Sequence, residues 1–192
     1  MNQEKSRTNS PKRIEVTTLG GGCFWCTEAV FSQLKGVEKI EPGYSGGNIE
    51  NPSYEQVSTG KTGHAEVAQI TFDPAVISFK EILQIFFSTH DPTSLNRQGA
   101  DIGTQYRSVI FYNDDEQKAI AEQVIKEFSD EEGAFDAPIV TQVEPLKAFS
   151  KAEDYHREYY KRHPEQPYCR GVITPKIAKL RQLYLTKSKL QI

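Results

Sequence analysis

Two cysteines three positions apart, Cys23 and Cys26, stand in the run Gly20-Gly21-Gly22-Cys23-Phe24-Trp25-Cys26, where a strand-like alternation gives way to helical spacing. A thiol at the start of a helix faces unpaired backbone N–H groups and the positive end of the helix dipole, both of which favour thiolate. A lowered pKa is therefore expected for Cys23, making its sulfur a nucleophile at neutral pH. The preceding glycines permit a tight turn and leave the sulfur open to a substrate. Cys26 shares a helix face with Cys23 and is spaced to form a disulfide with it. A CxxC at a strand–helix turn is a redox pattern, although a small buried core cysteine is the bland alternative.

Structural zinc would need a second close pair of ligands. Cys169 lies far along the chain from this pair, and His64, His90, His156 and His163 are scattered. His156 and His163, seven apart in a stretch with helical spacing, are expected as surface histidines. No metal is expected. A Cys–His dyad is chemically open, but no spacing selects the histidine.

Local patterns predict the elements that position these residues. Ile14 to Leu19 alternates as a strand, and Cys23 to Leu34 follows with helical spacing and stops at Gly36. Val37 to Tyr44 and Ala65 to Phe72 are strands, with Ser45 to His64 a long loop between them. Ser78 and Glu81 form a capping-box signature for a helix over Phe79 to Thr89. A second loop, Thr93 to Gln105, precedes a strand over Tyr106 to Tyr112 and a helix from Asp114 to about Phe128. A late strand over Ile139 to Val143 and a helix over Ala152 to Arg162 complete the order. Repeated split β-α-β units predict an α+β fold, a two-layer sandwich of ferredoxin-like type with a mostly antiparallel sheet. Long loops carrying aromatics inside a compact domain are expected to be functional.

The chain has 192 residues, room for one domain of ordinary size. Its 37% hydrophobic and 26% charged residues, with ten Phe and nine Tyr, exclude disorder of the whole chain. No apolar run approaches the length of a membrane span, and the polar N-terminus carries no secretory signal. Three cysteines are too few for a disulfide framework, so free thiols in a reducing, cytoplasmic setting are expected. Residues 1–13 read as a disordered basic segment, 14–175 as a single catalytic domain and 176–192 as a basic tail. The acidic body between the basic ends argues against nucleic acid.

Six motifs occur in order: Gly22-Cys23-Phe24-Trp25, Gly43-Tyr44-Ser45-Gly46-Gly47, Asn51-Pro52-Ser53-Tyr54, Gly63-His64-Ala65-Glu66, His90-Asp91-Pro92 and Gly103-Thr104-Gln105-Tyr106-Arg107-Ser108. Together they resemble the peptide methionine sulfoxide reductase A family over about residues 14 to 170. The resemblance implies an α+β sandwich and reduction of methionine S-sulfoxide, free or in oxidised proteins, to methionine. It implies Cys23 as nucleophile, Phe24 and Trp25 as walls of the pocket for the substrate methyl group, and Tyr54, Glu66, Asp101 and Tyr106 as its polar side. A thiolate attacking a sulfoxide sulfur must expel oxygen, which leaves well only when protonated. Glu66 is therefore expected as a general acid with a raised pKa, assisted by hydrogen bonds from Tyr54 and Tyr106. Asp101 would orient neighbouring groups or water.

The resulting sulfenic acid would be resolved by a second thiol and the disulfide reduced by thioredoxin or another dithiol, with no bound cofactor and the enzyme acting as a monomer. Many family members have glycine at the position of Cys26 and carry resolving cysteines near a glycine-rich C-terminus. Here Cys169 is followed by Val172-Ile173-Thr174-Pro175-Lys176. Both Cys169 and Cys26 stand as candidate resolving thiols, separately or in relay. Taken singly, Phe24 and Trp25 could be core aromatics, Glu66 a strand-edge carboxylate, the two tyrosines packing residues and Asp101 a turn residue. A thiol–disulfide oxidoreductase and a non-catalytic aromatic pocket for oxidised or methylated peptides are the rival functions.

Overall fold

The computed structural model describes residues 13–184. The expected disorder of the N-terminal segment falls on residues 1–12, outside the described residues, as do residues 185–192. Along the chain run β1 (Glu15–Gly21), α1 (Phe24–Phe31), β2 (Val37–Ser45), α2 (Tyr54–Ser58), β3 (Ala65–Phe72), α3 (Phe79–Thr89), β4 (Arg97–Gln98) and β5 (Asp101–Ile102). Then come β6 (Ser108–Tyr112), α4 (Asp115–Asp130), β7 (Gln142–Pro145), β8 (Ser150–Lys151), α5 (Tyr159–Arg162) and α6 (Thr174–Leu183).

Six strands form one sheet in the order β7-β6-β1-β3-β2-β8, and β4 with β5 makes a separate small hairpin. All neighbours in the large sheet are antiparallel except β6 and β7. The fold is thus mixed α and β around a mostly antiparallel sheet. The two-residue period of the strands divides their side chains between two cores. Leu19, Ala68, Ile70, Phe72 and Ile110 join the main core, which also takes the buried faces of α1, α3 and α6. Ala65, Val67, Val109 and Phe111 form a smaller cluster against Leu146 and Phe149.

The helix over Phe79–Thr89 forms as the capping box predicts. Glu81 N–H donates to Ser78 Oγ at 3.2 Å, and Ser78 N–H donates to Glu81 Oε2 at 2.9 Å. Its apolar stripe, with Ile82, Leu83, Phe86 and Phe87, is buried. In contrast α1 is buried nearly all round, Glu28 included, because it lies between the sheet and the C-terminal part of the chain.

Several expectations are corrected. The loop over residues 45–64 contains α2, and the loop over residues 93–105 contains the β4–β5 hairpin. The expected helix over Ala152–Arg162 is instead a 3-10 turn at Asp154–His156 followed by the short α5, directly after β8. Tertiary anchors break it: Glu153 accepts bonds from Tyr54 N–H and Tyr44 Oη, and Glu158 adopts a left-handed conformation with φ +51°. The tail expected from residue 176 is helical as far as Leu183, and Ile177 and Leu180 are buried against the core. Its signal was the spacing Ile173, Ile177, Leu180, masked by the surrounding basic residues.

Candidate active site

Cys23 is the N-cap of α1, directly after a glycine that makes the strand-to-helix turn possible. Gly22 has φ +94°, and a Cβ there would lie 2.5 Å from the Gln98 side chain. Across from the helix start, Glu66 projects from β3 and is only 2% exposed. Its Oε2 accepts the Phe24 N–H at 3.1 Å, which sets the carboxyl at the start of α1, next to Cys23. Burial pushes the Glu66 carboxyl up to about 8, with the charges of Asp101 and Cys26 adding to the effect. Glu66 is therefore a neutral carboxylic acid at pH 7, held against the thiol.

The lowered pKa expected for Cys23 is not what the structure gives. Burial raises it first, its hydrogen bond with Cys26 and the charge of Glu66 raise it further, and the Trp25 backbone N–H opposes them only partly. Desolvation outweighs the helix end because Cys23 is buried, 8% exposed as a residue, rather than open to solvent. Cys26 is pulled the other way, below the usual thiol range, by the hydrogen bond from Cys23, with the Lys176 charge and Tyr168 helping.

Tyr54 opens α2, whose N-cap Ser53 makes a full capping box with Gln56. Tyr106 ends the 3-10 turn Thr104–Tyr106. Burial raises both phenols, and the charge of Glu66 raises them further, so both hydroxyls keep their protons beside the acid. Asp101, on β5, accepts the Tyr168 hydroxyl at 2.6 Å, and that hydroxyl lies 3.6 Å from Cys26 Sγ. Trp25 is half-buried and stacks flat on Tyr159, with centroids 3.7 Å apart and planes 4° from parallel. Its Nε1–H donates to His156 Nδ1 at 3.0 Å. The Phe24 ring is buried against Tyr44 and His156.

A family profile described as peptide methionine sulfoxide reductase matches residues 15–189. The chain belongs to that family. Similar proteins named peptide methionine sulfoxide reductase MsrA occur in Saccharolobus solfataricus, at 55% identity over 92% of this chain and 98% of that protein, and in Deinococcus radiodurans, at 55% identity over 88% and 82%. Among solved structures, the reduced form of Mxr1 from Saccharomyces cerevisiae is similar with a TM-score of 0.74. It shares 34% identity over 86% of this chain and 94% of that one.

In this sulfoxide reductase family member, Cys23, Cys26, Phe24, Trp25, Tyr54, Glu66, Asp101 and Tyr106 gather around the N-terminal end of α1. Cys169 is fully buried where the chain enters α6, and burial together with the charge of Cys26 raises its thiol. Sequence reasoning missed Tyr168, although it adjoins Cys169. It also misplaced His156, which is fully buried among Phe24, Trp25 and Tyr54 rather than on the surface. Because His156 Nδ1 accepts from Trp25, its proton sits on Nε2, which points toward Glu153 at 3.7 Å. No local pattern marks that role, since Phe24, Trp25 and Tyr54 lie about a hundred or more positions away. Among the described residues no group of His, Cys, Asp and Glu side chains could hold a metal ion, and no helix is long and apolar enough to cross a membrane.

Proposed function

We infer that the family's reaction, reduction of methionine S-sulfoxide to methionine, runs in this chain through Cys23 as nucleophile and Glu66 as general acid. The observation that carries this reading is the buried Glu66 carboxyl, which accepts the N–H of Phe24, the residue next to Cys23, and which burial keeps protonated at neutral pH. The sulfur of Cys23 attacks the sulfoxide sulfur as Glu66 passes its proton to the oxygen and takes up the thiol proton in exchange. Tyr54 and Tyr106 donate to the same oxygen, and Asp101 fixes Tyr168 beside Cys26. The oxygen then passes from the methionine sulfur to the Cys23 sulfur: the bond between the two sulfurs and the methionine S–O bond break, a Cys23 S–O bond forms, and methionine leaves Cys23 as a sulfenic acid, two electrons having passed from the thiol to the substrate. Phe24 and Trp25 form the apolar wall for the methyl group.

Cys26 then attacks the sulfenic sulfur, releasing water and closing a Cys23–Cys26 disulfide. Its contact with Cys23 and its lower pKa favour it as the first resolving thiol. Cys169, fully buried, keeps its thiol in this turnover. Thioredoxin, or another dithiol, restores the two thiols, a cycle suited to the cytoplasm. One chain supplies every group, so the enzyme acts as a monomer on free methionine sulfoxide or on oxidised proteins. The ferredoxin-like reading of the fold is supported by the order β6-β1-β3-β2 within the sheet.

A single turnover tests the reaction and the route together. Fully reduced protein is mixed with excess methionine S-sulfoxide and no external reductant, methionine and free thiols are counted, and the disulfide is mapped by peptide mass. One methionine per chain, two thiols lost and a Cys23–Cys26 bond are expected. A Cys23–Cys169 bond with Cys26 still free would overturn the route, and intact thiols with no methionine would overturn the function.

A further inference from the structure

Glu28 is a buried carboxylate that the reaction above does not use. It lies on α1 one turn after Trp25, is 5% exposed, and has its carboxyl pushed up to about 7, chiefly by burial. Its Oε1 accepts the Glu158 N–H at 2.9 Å across 130 positions of sequence. Glu158 is one of three non-glycine residues with positive φ, at φ +51° and ψ 34°. Its own side chain is exposed and pairs with Lys161 at the surface, so that side chain does not fix the backbone against α1. The bond to Glu28 does. The next residue, Tyr159, carries the ring that stacks on Trp25.

We propose that Glu28 is a positioning residue for the substrate pocket: by accepting the backbone N–H of Glu158, it presses the ring of the next residue, Tyr159, against Trp25 and fixes the indole as the pocket wall. The proposal rests on the role given to Trp25 above. A left-handed glutamate is strained and persists only where its surroundings hold it there. Stacking covers one face of the indole and the bond to His156 Nδ1 fixes its edge, which leaves the remaining surface of Trp25 in a single orientation for the substrate. Cys23 and Glu66 lie at the helix start and take no part in this clamp, so its loss should weaken binding more than chemistry.

Trp25 is the one tryptophan of the chain, so its fluorescence reports on this wall alone. In Glu28→Ala the emission of the substrate-free protein should shift to the red as the stack opens. KM for a sulfoxide peptide should rise roughly five- to tenfold, the scale set by losing one ordinary hydrogen bond, with kcat changed less than about twofold. Glu28→Gln keeps an acceptor oxygen and should restore emission and KM toward the parent values. Unchanged emission and KM in Glu28→Ala would overturn the proposal, as would a loss confined to kcat. Should Glu28→Ala not fold, Tyr159→Leu removes the stack and must reproduce both changes; if it leaves them unmoved, the proposal is wrong. Emission is read without substrate, so it tests the clamp even if the reductase reading fails. That failure would show separately, as parent protein that forms no methionine.

Discussion

Replacing Glu66 by Gln should stabilise the protein at alkaline pH while removing most of its activity. Gln keeps the size of the side chain and an oxygen that can accept the Phe24 N–H, now made to Glu66 Oε2 at 3.1 Å. It has no proton to transfer and no charge to bury. Raising a carboxyl from its ordinary 4.5 to about 8 corresponds, at about 1.4 kcal/mol per pH unit, to a linkage free energy on the order of 5 kcal/mol. The sign follows from where the proton sits. Below about 4.5 the folded and unfolded chains both carry it, and the contribution of Glu66 to stability is fully present. Between about 4.5 and 8 only the folded chain keeps the proton, so stability falls as pH rises, and above about 8 the loss is complete. The Gln variant lacks that slope. Urea unfolding of both proteins between pH 5 and 9 should therefore show curves that diverge by several kcal/mol toward high pH. Single-turnover methionine formation by the variant should fall by roughly a hundredfold or more, the usual worth of a positioned general acid, and the parent should lose activity as pH rises through about 8. Parallel stability curves would refute the burial argument, and a variant within about tenfold of the parent rate would refute the acid role.

Three further outcomes follow from the geometry. Gly22→Ala should destabilise the protein by about 2 kcal/mol or more and cut activity, because L-residues resist φ +94° and the new Cβ meets Gln98, whose amide is already tied to Asp91; urea unfolding and single turnover would check both. Tyr54→Phe and Tyr106→Phe should each slow methionine formation about ten- to a hundredfold with little change in melting temperature, since each removes one donor to the developing charge and leaves the packing ring in place. Leu180→Ala should cost about 2–5 kcal/mol by urea unfolding, as a fully buried side chain of α6 is truncated; a change near zero would mean that this helix does not dock on the core in solution.

Local information carried much of the architecture. The strands Val37–Ser45 and Ala65–Phe72 and the helix Phe79–Thr89 were legible because alternation and a capping box are properties of neighbouring residues. The same holds for Cys23 at a strand–helix junction and for the CxxC pair. The helix expected over Ala152–Arg162 failed because Glu153 and Glu158 are anchored by residues roughly a hundred or more positions away, and such anchors override propensity.

For the site, residue types and motif order in the sequence were enough to name Cys23, Glu66, Tyr54, Tyr106 and Asp101 as candidates and to suggest their family. Tertiary structure alone decided their protonation. Cys23 is raised rather than lowered, and Glu66 is a neutral acid, because each side chain loses its water to elements folded over it from elsewhere in the chain. It also decided that His156, Tyr159, Tyr168 and Glu28 belong to the site. Their roles consist of contacts with α1 or its surroundings, and distances between residues so far apart in sequence come into being only when the chain packs.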